Sequence, residues 1–74
     1  MLAEEGVLYS HLECVKQEAQ LITIEGELIT KLENAMGDGE IYDMAAYLQQ
    51  AEKIAKNKLS MYANLVDKIN DFRL

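Results

Sequence analysis

The sequence predicts an all-α fold, two long amphipathic helices folded back on each other as an antiparallel hairpin, and three observations carry that reading. The 74 residues include no proline and only four glycines, Gly6, Gly26, Gly37 and Gly39, so little in the chain interrupts a helix. Apolar or small residues recur at alternating steps of four and three through two long stretches, which is the heptad period of a helix seam. Between the stretches lies Gly37-Asp38-Gly39, where a glycine can take the left-handed conformation that closes a helix. One small domain over residues 1–74 is expected, with no room for a separate catalytic domain.

The first helix is expected over about residues 3–36. Its principal row runs through Leu8, Leu12, Val15, Ala19, Ile22, Gly26 and Ile29. A flanking row, Cys14, Leu21, Leu28, Leu32 and Ala35, makes the apolar stripe wider than one two-stranded seam requires. The turn is expected at residues 37–40, with Asp38 or Asp43 accepting hydrogen bonds from the free amides of the next helix. So short a connection joins antiparallel neighbours.

The second helix is expected over about residues 41–73. Its principal row is Tyr47, Ala51, Ile54, Lys58, Met61, Leu65, Lys68 and Phe72, and its parallel row is Ile41, Met44, Leu48, Ala55, Leu59, Tyr62, Val66 and Ile69. The i,i+4 pairs Glu27–Lys31 and Glu52–Lys56 add only about 0.2–0.5 kcal/mol each. Two rods share one seam, so broad stripes on both helices predict that the hairpin pairs with another copy, or with another helix, into a bundle of four.

The charge narrows the partners. The net charge is −6, and residues 1–36 hold seven acids against Lys16 and Lys31, whereas residues 37–74 hold six acids and five bases. Such a chain repels phosphate backbones and anionic membranes, so neither nucleic acid nor membrane is expected as a partner. The single Cys14 has no internal disulfide partner and no run of about 18 apolar residues occurs, so a cytoplasmic location is expected.

Candidate chemical sites reduce to structural ones. His11, Cys14 and Glu18 lie near one helical face, but one chain supplies too few ligands for a closed tetrahedral zinc site; only a symmetric dimer contributing His11 and Cys14 twice could supply four, and a half-buried cysteine beside a surface histidine is the expected reading. Asp38, Glu40 and Asp43 lack the twelve-residue ligand order of a calcium loop, and capping accounts for them. Gly37 and Gly39 follow no strand and match no phosphate-loop pattern. The only histidine sits on a rod, without the base and nucleophile that covalent catalysis needs, so the chain is not expected to be an enzyme, and no metal or cofactor is expected. The residues expected to form core or interface are Leu8, Leu12, Val15, Ile22, Ile29, Leu32, Tyr47, Leu48, Ile54, Leu59, Met61, Tyr62, Leu65, Val66, Ile69 and Phe72.

Two segments resemble a known family. Glu4-Glu5-Gly6-Val7-Leu8-Tyr9-Ser10-His11 is similar to the two acids, apolar pair and histidine found in the C-terminal, non-motor tail of kinesin-13 motors. The stronger likeness runs through Tyr47-Leu48-Gln49-Gln50-Ala51-Glu52-Lys53-Ile54, Lys58-Leu59, Leu65-Val66-Asp67-Lys68-Ile69 and Phe72-Arg73, which follow the spacing of that tail. The chain departs from the family at Gly37-Asp38-Gly39, where a turn with proline and glycine is common, and at Ala51 and Ala55, where bulkier aliphatics are usual. The resemblance implies a cytoskeleton-associated parent whose ATP-driven motor domain depolymerises microtubules, with the ATP and tubulin sites outside this chain. It implies a regulatory role here: dimerisation, contact with the motor domain, or binding of an adaptor protein. The acidity argues against direct contact with the acidic microtubule surface.

Overall fold

The structure is a computed structural model and describes residues 3–73. Two helices, α1 (Ala3–Gly37) and α2 (Met44–Phe72), pack side by side in opposite directions. Their 35 and 29 residues give rods of about 52 and 44 Å, and the Cα envelope measures 56 × 17 × 12 Å. The molecule is therefore two helices wide and one helix thick. No side chain can be enclosed on all sides, and the buried hydrophobic residues are Cys14, Ile54 and Leu65.

Helix α1 runs one residue further than expected, taking in Gly37, and the connection is residues 38–43. The stop is a pair of reverse hydrogen bonds. The Glu40 amide donates to the Ala35 carbonyl at 2.9 Å and the Gly39 amide to the Met36 carbonyl at 3.2 Å, with Gly39 at φ 70. That pairing satisfies two of the last helical carbonyls and demands the left-handed region at Gly39 alone. Helix α2 begins three residues later than expected because Asp43 caps it: its carboxylate accepts from the Ala46 amide at 3.0 Å. Ile41, expected to open the second helix, instead lies in the connection with its side chain fully exposed.

The two turn glycines should respond oppositely to alanine. Gly37 is helical and a methyl group there meets open space, so Gly37→Ala is expected to stabilise the chain by about 0.5–1 kcal/mol. Gly39→Ala must hold a side chain at positive φ, which costs about 1 kcal/mol or more. Thermal denaturation should then place the Gly39→Ala midpoint below wild type and the Gly37→Ala midpoint above it, by roughly 4–8 °C each.

The seam of α2 is the predicted one from Tyr47 to Leu65, but beyond it Ile69 of the parallel row is half-buried while Lys68 and Phe72, expected in the seam, are exposed. Ile54 and Leu65 are buried at 7 % and 8 % exposure, while Tyr47, Ala51, Lys58 and Met61 are half-buried between and before them. In α1 the two rows exchange roles. The flanking row forms the seam, with Cys14 buried and Leu21, Leu28, Leu32 and Ala35 half-buried. The expected principal row of Leu8, Leu12, Val15, Ala19, Ile22, Gly26 and Ile29 faces outward instead.

Lys58 supplies the physical reason. It interrupts the α2 seam and needs an acid opposite, and Glu25, half-buried and in register with Cys14 and Leu21, accepts from its ammonium at 2.6 Å. Turning the Leu8–Ile29 row inward would leave that ammonium facing aliphatic carbon, at a desolvation cost with no compensating partner.

Candidate interaction surface

The exposed rows share one side of the hairpin. In α1 the outward row follows the seam by one residue, as Val15 follows Cys14 and Ile22 follows Leu21. In α2 Ala55 follows Ile54, Tyr62 follows Met61 and Val66 follows Leu65. One residue on a right-handed helix is a turn of about 100° in the direction of the chain. Because the helices run oppositely, those two rotations carry both rows to the same side of the seam.

That side presents Leu8, Leu12, Val15, Ile22 and Ile29 from α1 and Leu48, Leu59, Val66 and the edge of Tyr62 from α2, all counted among the exposed large hydrophobics. Leu59 is the most open of them at 71 %. The other side is polar: Gln17 and Gln20 face Asn57 and Ser60 across a shallow groove. Tyr9 and Ile24 are the large exposed hydrophobic residues there. A monomer rarely leaves a contiguous apolar patch of more than a few hundred Å2 in water.

Polar pairs border the seam and hold its register. On the apolar side the Tyr62 hydroxyl donates to the Glu18 carboxylate and the Lys58 ammonium to Glu25. On the polar side the Lys68 ammonium donates to the Ser10 hydroxyl at 3.0 Å. Lys58 and Glu25 are each about one quarter to one third exposed, so solvent screens the pair and its value lies in register more than in stability. Of the two i,i+4 pairs, Glu52–Lys56 closes at 2.7 Å on the solvent side; Glu27 and Lys31 do not pair among the described residues.

Tyr62 carries a pH signature. Its hydrogen bond to Glu18, its partial removal from water and the negative charges of Glu18 and Cys14 all disfavour the phenolate, raising its pKa from 10.0 to about 12. The folded chain thus holds this proton more tightly than the unfolded chain. The stabilisation is complete below pH 10 and is lost as pH rises from 10 towards 12, where the unfolded state releases its proton first. In an ultraviolet phenolate titration Tyr62→Phe should lack the highest-pH component of the wild type, and Glu18→Gln should bring that component down. An unchanged titration in both variants would remove the Glu18–Tyr62 contact.

The predicted turn residues Gly37, Asp38 and Gly39 all stand at the closed end, but only Gly39 has the left-handed backbone, and the capping acid is Asp43. His11 is exposed on α1 while Cys14 is turned into the seam. Among the described residues no group of three or more histidine, cysteine or acidic side chains is placed to hold a metal ion, and no helix is long and apolar enough to cross a membrane. Sequence reasoning singled out Glu18 only as a candidate metal ligand beside His11 and Cys14, and Glu25 and Ser10 not at all. The usable signal was a lysine inside the α2 apolar row with two glutamates seven residues apart on the α1 flanking row.

No family model, curated protein or solved structure matches this chain.

Proposed function

We propose that this chain is a non-catalytic interaction module whose working surface is the exposed apolar side of the hairpin. One observation carries the reading: both helices direct their spare aliphatic row to the same side, while the opposite side is polar. Such a surface suits the apolar face of another helix, and the acidity of the chain favours a protein over a nucleic acid or an anionic membrane.

Hydroxyl-radical footprinting of the protein in its cellular setting tests this. Leu8, Leu48, Leu59 and Val66 should be oxidised much less than in the dilute purified chain, while Ile24 is labelled equally in both. Equal labelling of all five residues in the two settings would sink the reading.

The context we propose for the module is the regulatory tail of a kinesin-13-like motor, in cytoplasm and associated with the cytoskeleton. Its support is the spacing of residues in the Glu4–His11 and Tyr47–Arg73 segments. An adaptor-binding helical module, or a piece of an unrelated coiled-coil scaffold, would use the same apolar side. The transcript that encodes this segment decides among them: a motor domain with a phosphate loop upstream supports the kinesin context, and its absence removes it.

A further inference from the structure

The occupant of the apolar side can be argued from area and charge. The chain exposes 5955 Å2, whereas a compact monomer of 8.4 kDa exposes about 4,600 Å2. The broad side of the molecule measures 56 × 17 Å, about 950 Å2, so closing two such sides on each other buries on the order of 1,900 Å2, within the range of stable, specific interfaces. A second copy therefore matches what this surface lacks, and it brings an equally long and equally broad apolar side.

Charge selects the orientation. Two hairpins can close face to face with their loops at the same end, setting each α1 against the partner's α2, or with loops at opposite ends, setting like helix against like. Residues 1–36 carry a net −5 and residues 37–74 a net −1. Like against like would hold the two acidic helices side by side, where same-sign charges repel.

The polar pairs give the same answer. Glu18–Tyr62 and Glu25–Lys58 both lie on the apolar side of the seam. With loops at the same end, Glu25 and Lys58 of one copy meet Lys58 and Glu25 of the other in an alternating ring, and each carboxylate lies between two ammonium groups. With loops opposed, Glu25 of each copy comes against the acidic first helix of the other, away from the other copy's Lys58. The small residues Gly26 and Ala55 share one layer near that ring, which lets the backbones approach there.

We infer that the apolar side receives a second copy of this chain, loops at the same end, forming a four-helix bundle in which each α1 is flanked by two α2 helices and the Glu25–Lys58 pairs form a central ring. The inference rests on the interaction reading above and names its partner.

Sedimentation equilibrium of the purified chain should give about twice the monomer mass at micromolar concentration. Ile22→Glu and Leu48→Glu, one on each helix of the apolar side, should each weaken association at least about 100-fold with helical circular dichroism retained. Ile24→Glu, equally exposed on the polar side, should leave the mass unchanged. Ile22 and Ile24 are 51 % and 53 % exposed, so the comparison isolates the face. The wild-type mass stands even if a variant unfolds: a monomer up to millimolar concentration overturns the dimer. Footprint protection in cells beside a monomeric purified chain would overturn the self-association alone and leave the interaction reading standing with another helix as partner.

Orientation is read by mixing single-cysteine chains in a Cys14→Ala background. Ile29→Cys with Ala55→Cys should form a mixed disulfide. A mixed disulfide between Ile29→Cys and Val15→Cys in its place would reverse the orientation and overturn this arrangement.

Discussion

Leu65→Asp should abolish the hairpin. Leu65 is one of two buried side chains in α2, at 8 % exposure, and it lies against Cys14 and Met61 near the open end of the seam. An aspartate there faces sulfur and aliphatic carbon with no cation in reach of the seam except the edge-bound Lys68, so the carboxylate is desolvated without a partner. Breaking burial at such a site costs about 3–5 kcal/mol, a large part of the roughly 5 kcal/mol expected of a small domain. Far-ultraviolet circular dichroism should fall towards the unfolded value at low micromolar concentration. The graded companion is Ile54→Ala, buried at 7 %, which should lower the urea midpoint by the equivalent of about 2–4 kcal/mol. Full helicity and an unchanged midpoint in both variants would mean that the buried row of α2 had been assigned wrongly.

Cys14 should report the opening of the hairpin through its reactivity. At 6 % exposure it is the most buried side chain of the seam, and an alkylating reagent needs the thiolate in the open. The seam is one residue thick, so reaching the sulfur requires α1 and α2 to separate locally. Labelling of the native chain should therefore run at least about 100-fold slower than in denaturant, in proportion to the population of the open state. The adduct has no room between the helices, and once labelled the chain should lose most of its helicity. Equal rates in native and denaturing buffer would place Cys14 on the outside of α1 and move the whole helix by one row.

Which row of α1 lies inward is not decided by its period. In α2 two rows also kept the four-three period: Tyr47, Ala51, Ile54, Met61 and Leu65 turn inward as expected, whereas the parallel row, free of lysine, stays exposed apart from Ile69, and Ile41 lies in the connection. In α1 two rows kept the same period, and the richer one, Leu8 to Ile29, was the natural choice on hydrophobicity alone. Burial of apolar area favours that choice within an isolated hairpin. The row that lies inward instead, Cys14–Leu21, is the one that brings Glu25 opposite Lys58 and Glu18 opposite Tyr62 and so fixes the register of the seam. The turn was displaced for a related reason: Gly39 could be recognised as a possible stop, but which amides reach which carbonyls depends on the backbone path into Asp43.

By itself the sequence determined the all-α hairpin: the absence of proline, two uninterrupted heptad stretches and one glycine-bearing break leave the chain no other regular structure, because these are local properties of the backbone and of side-chain period. Only the tertiary structure decided which α1 row lies inward and that both spare rows emerge on one side of the hairpin. Those outcomes depend on pairing across residues more than thirty positions apart, Glu25 with Lys58 and Glu18 with Tyr62. Periodicity along one helix holds no information about which partner will face it.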